Sequence, residues 1–310
     1  MALLTNAGES YTLSGNLGGR AGIGRQNRED LADFITNISP VECPFTSGIG
    51  TTEATGVTHE WLTHSLAAAS ADNVVVEGNE ASLVSPTTLT RVTNVCQINQ
   101  KAVAVSGTQD RVKKAGMGRE LAYRIVLHTK EIKRDIEVAA LQNTQAVTGS
   151  TTVARKMNGF MGFVTTNTAA TITTSITAAD INTMLQDCWE EGGNPDTLMM
   201  NGTKKREVSA IAGQVNQNYE WNMDASAKKF QTAVDVWDGD FGIQRIIPNR
   251  FDNTLTVKAI EMGLWKIATL RSLAIEPLAK TGDTSKMMLT SELTLECRAE
   301  NANAVRTFSA

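Results

Sequence analysis

The chain has 310 residues, 41% of them hydrophobic, enough for one large core or two modest ones at roughly 150 residues per domain. Its 29 basic and 33 acidic residues leave a net charge of -4, which argues against a protein that grips nucleic acid by counterion release. Cys43, Cys96, Cys188 and Cys297 stand far apart, with no Cys-x-x-Cys pair, so a secreted disulfide framework is excluded and buried thiols made in a reducing cytosol are expected.

No apolar run reaches the roughly 18 to 20 residues that a membrane span needs, and the N-terminus lacks a basic-then-apolar secretion signal. Residues 1 to 26 hold Gly8, Gly15, Gly18, Gly19, Gly22 and Gly24 among few large apolar side chains, the composition of a flexible arm that needs a partner surface. The glycines fit no dinucleotide loop, because no strand precedes them and the spacing is wrong. A short amphipathic helix is expected from Arg28 to Thr36, stopped by Pro40 and Pro44.

Two extended runs, 56 to 66 and 88 to 105, flank a stretch of small and polar residues and predict a long hairpin-like excursion. In the second run Val92, Cys96 and Ile98 share a face, and the apolar parity flips by Val103 and Val105, so a bulge is expected near Gln100. The strongest helical signal runs from about 109 to 143, with Leu121, Ile125, Ile132, Ile136 and Ala140 on one stripe. Gly116 and Gly118 weaken its first turns, placing the firm part from about Arg119. Arg124, Lys130, Lys133, Arg134 and Glu137 form an opposite, charged face.

Residues 155 to 270 alternate helices and strands. Thr177 and Asp180 have the spacing of a capping box; Ile181, Met184, Leu185, Cys188 and Trp189 form the apolar face of the helix that follows, and Gly192, Gly193 and Pro195 end it. Strands are expected at 197 to 201, 232 to 238, 243 to 247 and 254 to 260. The last segment alternates, with Met287, Leu289, Leu293, Leu295, Cys297 and Ala299 on one face and Thr290, Glu292, Thr294, Glu296 and Arg298 on the other: one strand about 43 Å long at ~3.3 Å per residue, buried on one side and wet on the other. A strand and a helix of such length describe a thin plate.

Catalytic motifs fail on spacing. His59 and His64 are five apart, where a zinc-protease helix needs four. Lys280-Thr281-Gly282 and Ser226-Ala227-Lys228-Lys229 lack the Ser-Asp-Asn element that β-lactamases place between them. The carboxylates of Glu190 and Glu191 have no acid, base or metal partner nearby in sequence. The expectation is no enzyme, no cofactor and no metal.

The order of parts (arm, hairpin, long helix, mixed domain, long strand) resembles the Hong Kong 97 coat fold of tailed-bacteriophage major capsid proteins. The resemblance is carried by NISPVECPF (37 to 45), HEWLTHSLAAA (59 to 69), VSGTQDRVKKAG (105 to 116), ELAYRIVLHTKEIKRDIE (120 to 137), WEEGGNPDTLMMNG (189 to 202), FGIQRIIPNRF (241 to 251) and LAKTGDTSK (278 to 286). His64 and Cys43 depart from the family pattern, which has an acid and a small polar residue there.

The resemblance implies an α+β, Hong Kong 97-like major capsid fold: N-arm 1–28; E-loop 55–105; P-domain 29–54, 106–154 and 271–310 with a spine helix at 109–143 and long antiparallel strands; A-domain 155–270. It implies hexamers and pentamers of an icosahedral phage head enclosing double-stranded DNA, in the virion after synthesis in the host cytoplasm. The partners expected are the chain itself, portal, scaffold and decoration proteins, and DNA as non-specific contents, with no membrane. An encapsulin-like nanocompartment shell is the alternative on the same fold. The tip, residues 67 to 87, would lie across a neighbouring subunit, making Asp72, Glu77, Glu80, Arg119, Arg124, Lys130, Arg134, Lys280 and Asp283 candidate intersubunit contacts.

Overall fold

The structure, a computed structural model, describes residues 39–81, 83, 88–114, 116, 118–170, 175–215 and 235–309. The expected arm over 1–28, the helix expected over 28–36 and the Ser226–Lys229 motif lie outside the described residues. In chain order the elements are α1 (Pro44–Gly48), β1 (Gly50–Glu53), β2 (Thr58–Thr63), β3 (Thr90–Val95), β4 (Gln97–Ser106), α2 (Gly107–Arg111), α3 (Glu120–Gln142), α4 (Phe160–Phe163), β5 (Thr168–Ala170) and α5 (Ala178–Glu190). They continue with β6 (Thr197–Met200), α6 (Gly202–Val215), β7 (Val236–Gly239), β8 (Gly242–Pro248), β9 (Thr256–Ile260), β10 (Trp265–Pro277), β11 (Thr284–Cys297) and β12 (Ala304–Thr307).

The C-terminal alternation forms β11, a 14-residue strand at the centre of a four-stranded sheet ordered β1-β10-β11-β4. Its Leu289, Leu293, Leu295 and Cys297 pack with Ile132, Ile136, Ala139 and Ala140 of α3 around Phe45, Phe160 and Trp265. Trp265 is fully buried, and its indole donates to Asn303 Oδ1 at 2.9 Å. The other face of β11 corrects the expectation of a wet side. Glu292, Thr294 and Glu296 are buried too, because the base of the β2–β3 hairpin and the loop carrying Arg155 cover that half of the strand.

Three expectations along the first half also change. β4 pairs with β11 without a break from Gln97↔Leu293 to Ser106↔Thr284, so no bulge lies near Gln100; the parity changes at Cys96, where the chain leaves one sheet for another. Residues 97–105, expected in the excursion, therefore belong to the plate. The helix expected over 109–143 is split into α2 and α3, with Gly116 between them at φ 74, a backbone that an α-helix cannot contain. Asp110 bridges the gap: its carboxylate accepts from the Leu121 backbone N–H at 3.3 Å at the start of α3 and from Arg119 at 2.9 Å.

The second sheet is six-stranded, ordered β5-β12-β9-β6-β8-β7. The Thr177–Asp180 capping box forms as read, and α5 buries Ile181, Met184, Leu185 and Cys188 over one sheet face. Gly192, at φ 85, ends it, its N–H and that of Gly193 closing on the carbonyls of Trp189 and Cys188. Trp189, expected on the apolar face, is instead 62% exposed and leans on Phe241. The sheet's other face sends Met199, Ile260 and Val305 into the same core as the plate, so the two sheets share one hydrophobic body. Two further departures concern boundaries: β10 enters the plate at Trp265, ahead of 271, and β12, counted with the plate segment, pairs with β9 and β5 in the second sheet.

Candidate assembly surfaces

Two antiparallel six-residue strands, β2 and β3, carry an arm away from the plate. Past Leu293, β11 has no strand on its β4 side, and its carbonyls are met by side chains of the arm instead. The Trp61 indole donates to the Cys297 carbonyl at 2.7 Å and the Asn94 amide to that of Leu295 at 2.7 Å. His59 Nε2 lies 3.3 Å from Glu296 Oε2, and its ring packs at 5.6 Å against Trp61. This docking exists because polar groups buried at a sheet edge must find partners. It fixes where the arm leaves the body. His64 falls beyond β2, and among the described residues no group of three or more His, Cys, Asp or Glu is placed to hold a metal.

Beyond Thr63 the arm opens into a tip whose described residues form no strand or helix. Val74, Val75 and Val76 are 80%, 79% and 80% exposed, and Leu66 and Leu83 protrude as well. A turn at Gly78, φ 82, is closed by the Asn79 N–H on the Val76 carbonyl at 3.0 Å. Asp72, Glu77 and Glu80 all lie on this tip, exposed and in no salt bridge among the described residues.

The other expected contact residues are scattered. Arg119 pairs with Asp110 at 2.9 Å and Arg124 with Glu120 at 3.0 Å in the same chain. Lys130 is exposed and Arg134 half-buried on α3; Lys280 and Asp283 face each other at 3.9 Å across the exposed β10–β11 turn. Hydrogen bonds from the Lys114 ammonium and then from the Arg124 guanidinium hold the Glu120 carboxyl down to about 2.

Glu137, read as part of the charged face, is fully buried. Its two oxygens accept from the backbone N–H groups of Phe45 (2.9 Å) and Thr46 (2.8 Å), and Oε1 also accepts from the Asn249 amide (2.6 Å). One carboxylate thus ties α3 to the start of α1 and to the loop after β8. Glu292 likewise accepts from Arg155 at 2.6 Å and Arg271 at 2.8 Å. In the second sheet Lys258 and Asp252 form a wholly buried ion pair, and burial pulls the Lys258 ammonium below its usual range. All four cysteines are free and buried; burial pushes the Cys188 thiol up to about 12. Among the described residues no helix is long and apolar enough to cross a membrane.

A plate built from one long helix and a long-stranded sheet, a second domain on the same core and an arm that leaves its own body define a coat subunit of the Hong Kong 97-like α+β fold. Solved shells share it. The cyanophage A-1(L) capsid subunit superposes with a TM-score of 0.70 at 11% identity, covering 93% of this chain and 98% of that one. The SrpI encapsulin of Synechococcus elongatus gives 0.58 at 10%, with 91% of each covered. The chain belongs to the SU10 major capsid protein family, whose model matches residues 5–308. It is 27% identical to the major capsid protein of Escherichia phage Phieco32, over 90% of this chain and 94% of that protein. It is a phage major capsid protein and hence part of the virion.

Proposed function

We propose that many copies of the chain close into hexamers and pentamers of an icosahedral head around double-stranded DNA, acting as a structural protein with no reaction of its own. One observation carries this reading: the arm's valines are about four-fifths exposed and belong to none of the cores of the described residues, so ordering the tip is compensated by another subunit. Residues 55–96 are then the E-loop and 1–28 the N-arm; the P-domain takes β10 from Trp265, and the A-domain, centred on 155–264, takes back β12 and meets its copies at the local symmetry axis. Asp72, Glu77, Glu80, Arg119, Arg124, Lys130, Arg134, Lys280 and Asp283 supply polar contacts between subunits.

Synthesis in the host cytoplasm, followed by joining with portal, scaffold and decoration proteins, fits a chain whose thiols are free. A net charge of -4 suits a wall that confines DNA without adhering to it. The SrpI likeness keeps a protein-filled compartment as the second reading. Particles purified through a density gradient and treated with nuclease decide: protected DNA of genome length is expected, and a folded protein cargo without such DNA would overturn the proposal.

A further inference from the structure

We propose that Lys258 and Asp252 condense within one chain to an isopeptide bond, a self-modification that occurs once per copy and turns over no substrate. Lys258 lies in β9 between Met199 of β6 and Val305 of β12, its cross-strand partners and both members of the shared apolar core. Its ammonium donates to Asp252 Oδ1, and both side chains are 0% exposed. In every other lysine–carboxylate pair among the described residues at least one side chain is 15% or more exposed. This pair alone among them is closed to water, where two charges are costly and an amide is not hydrolysed.

The two oxygens of Asp252 are held differently. Oδ1 also accepts from the Asn253 backbone N–H at 2.8 Å, a donor placed to hold the negative charge that develops there as nitrogen attacks Cγ. Oδ2 is buried and meets no donor among the described residues, so it is the oxygen that leaves. Burial favours the neutral form of Lys258, which is the nucleophile, and Thr256 Oγ1 accepts from Nζ at 3.0 Å and relays a proton. An ammonium and a carboxylate give an amide and one water. The Nζ–Cγ bond forms and the Cγ–Oδ2 bond breaks; two of the three Nζ protons depart with Oδ2 and the third stays on the amide nitrogen. Nothing is oxidised or reduced, and no co-reactant enters.

The bond would brace a joint of the molecule. The loop between β8 and β9 holds Asn249, whose amide donates to Glu137 of α3 at 2.6 Å, and the Asp252 carbonyl, which accepts from the Asn201 amide at 3.1 Å after β6. Closing Asp252 onto Lys258 fixes that loop covalently to the middle of the second sheet, next to its contact with the plate.

Peptide mass spectrometry of the full chain, purified folded and then denatured and digested with trypsin, tests this. Trypsin does not cut at an acylated lysine, so in most copies residues 251–266, which lie between Arg250 and Lys266, should emerge as one peptide about 18 Da, one water, below its sequence mass. Its fragmentation should give no backbone ions from between Asp252 and Lys258. Asp252→Ala digested in the same way should show ordinary cleavage and mass, whether or not the variant folds. Cleavage after Lys258 at full sequence mass in most copies would overturn the proposal. So would the same deficit with cleavage intact, which marks a succinimide at Asp252, or a deficit that persists in Asp252→Ala.

Discussion

Glu137 shows how much of this fold hangs on single polar side chains. Its carboxylate holds two backbone N–H groups and the Asn249 amide in a place closed to water. Glu137→Ala leaves those donors unpaired, at about 1–3 kcal/mol for each, and is expected to destabilise the subunit by about 3 kcal/mol or more, read as a lower denaturant midpoint. Glu137→Gln, which preserves an acceptor oxygen, should lose less. Glu120 adds a pH dependence. Its carboxyl titrates at about 2 in the folded chain against 4.5 ordinarily, so in that interval the unfolded chain binds more protons. Its stabilisation is complete above about pH 4.5 and disappears as pH falls towards 2. Glu120→Gln should flatten the fall in thermal midpoint between about pH 5 and pH 3; an unchanged slope would mean that the Lys114 and Arg124 bonds contribute nothing.

At the scale of elements, the arm and the plate make opposite demands. The C-terminal half of β11 is buried on both sides, whereas the valines of the tip are about four-fifths exposed, so mutations should separate the two. V74S/V75S/V76S is expected to leave the thermal midpoint of the soluble subunit unchanged to within about 1 kcal/mol of stability while lowering particle yield; a large loss of subunit stability would place the tip against its own body. The same contrast explains what the sequence made legible. The alternation of Met287 to Cys297, the stripe from Ile125 to Ala140 and the capping box at Thr177 are local periodicities, and each became an element near its expected place. The burial of Glu292, Glu296 and Glu137 was not legible, because a carboxylate at an outward position of its own strand or helix looks wet until another segment folds over it. Trp61 and Asn94 were missed for the same reason, their partners being backbone carbonyls over 200 residues away. The only local hint was large or amide side chains in an otherwise polar hairpin. Gly116 did signal the interruption before α3, since its positive φ is what a glycine supplies.

The described residues form a body with one core shared between two sheets and an arm that is docked at its base and exposed at its tip. Such a shape gains little from folding alone at its edges and much from repetition, where each copy covers what its neighbour leaves bare. The family to which it belongs, and the shells that share its fold, make that repetition the biological form. The measurement that tests this most directly is a cryo-EM map of assembled particles, traced through residues 64–89. The tip is predicted to run across a different subunit, with Val74–Val76 covered there. Density that brings the tip back onto the plate of its own chain, with those valines covered by it, would contradict the prediction.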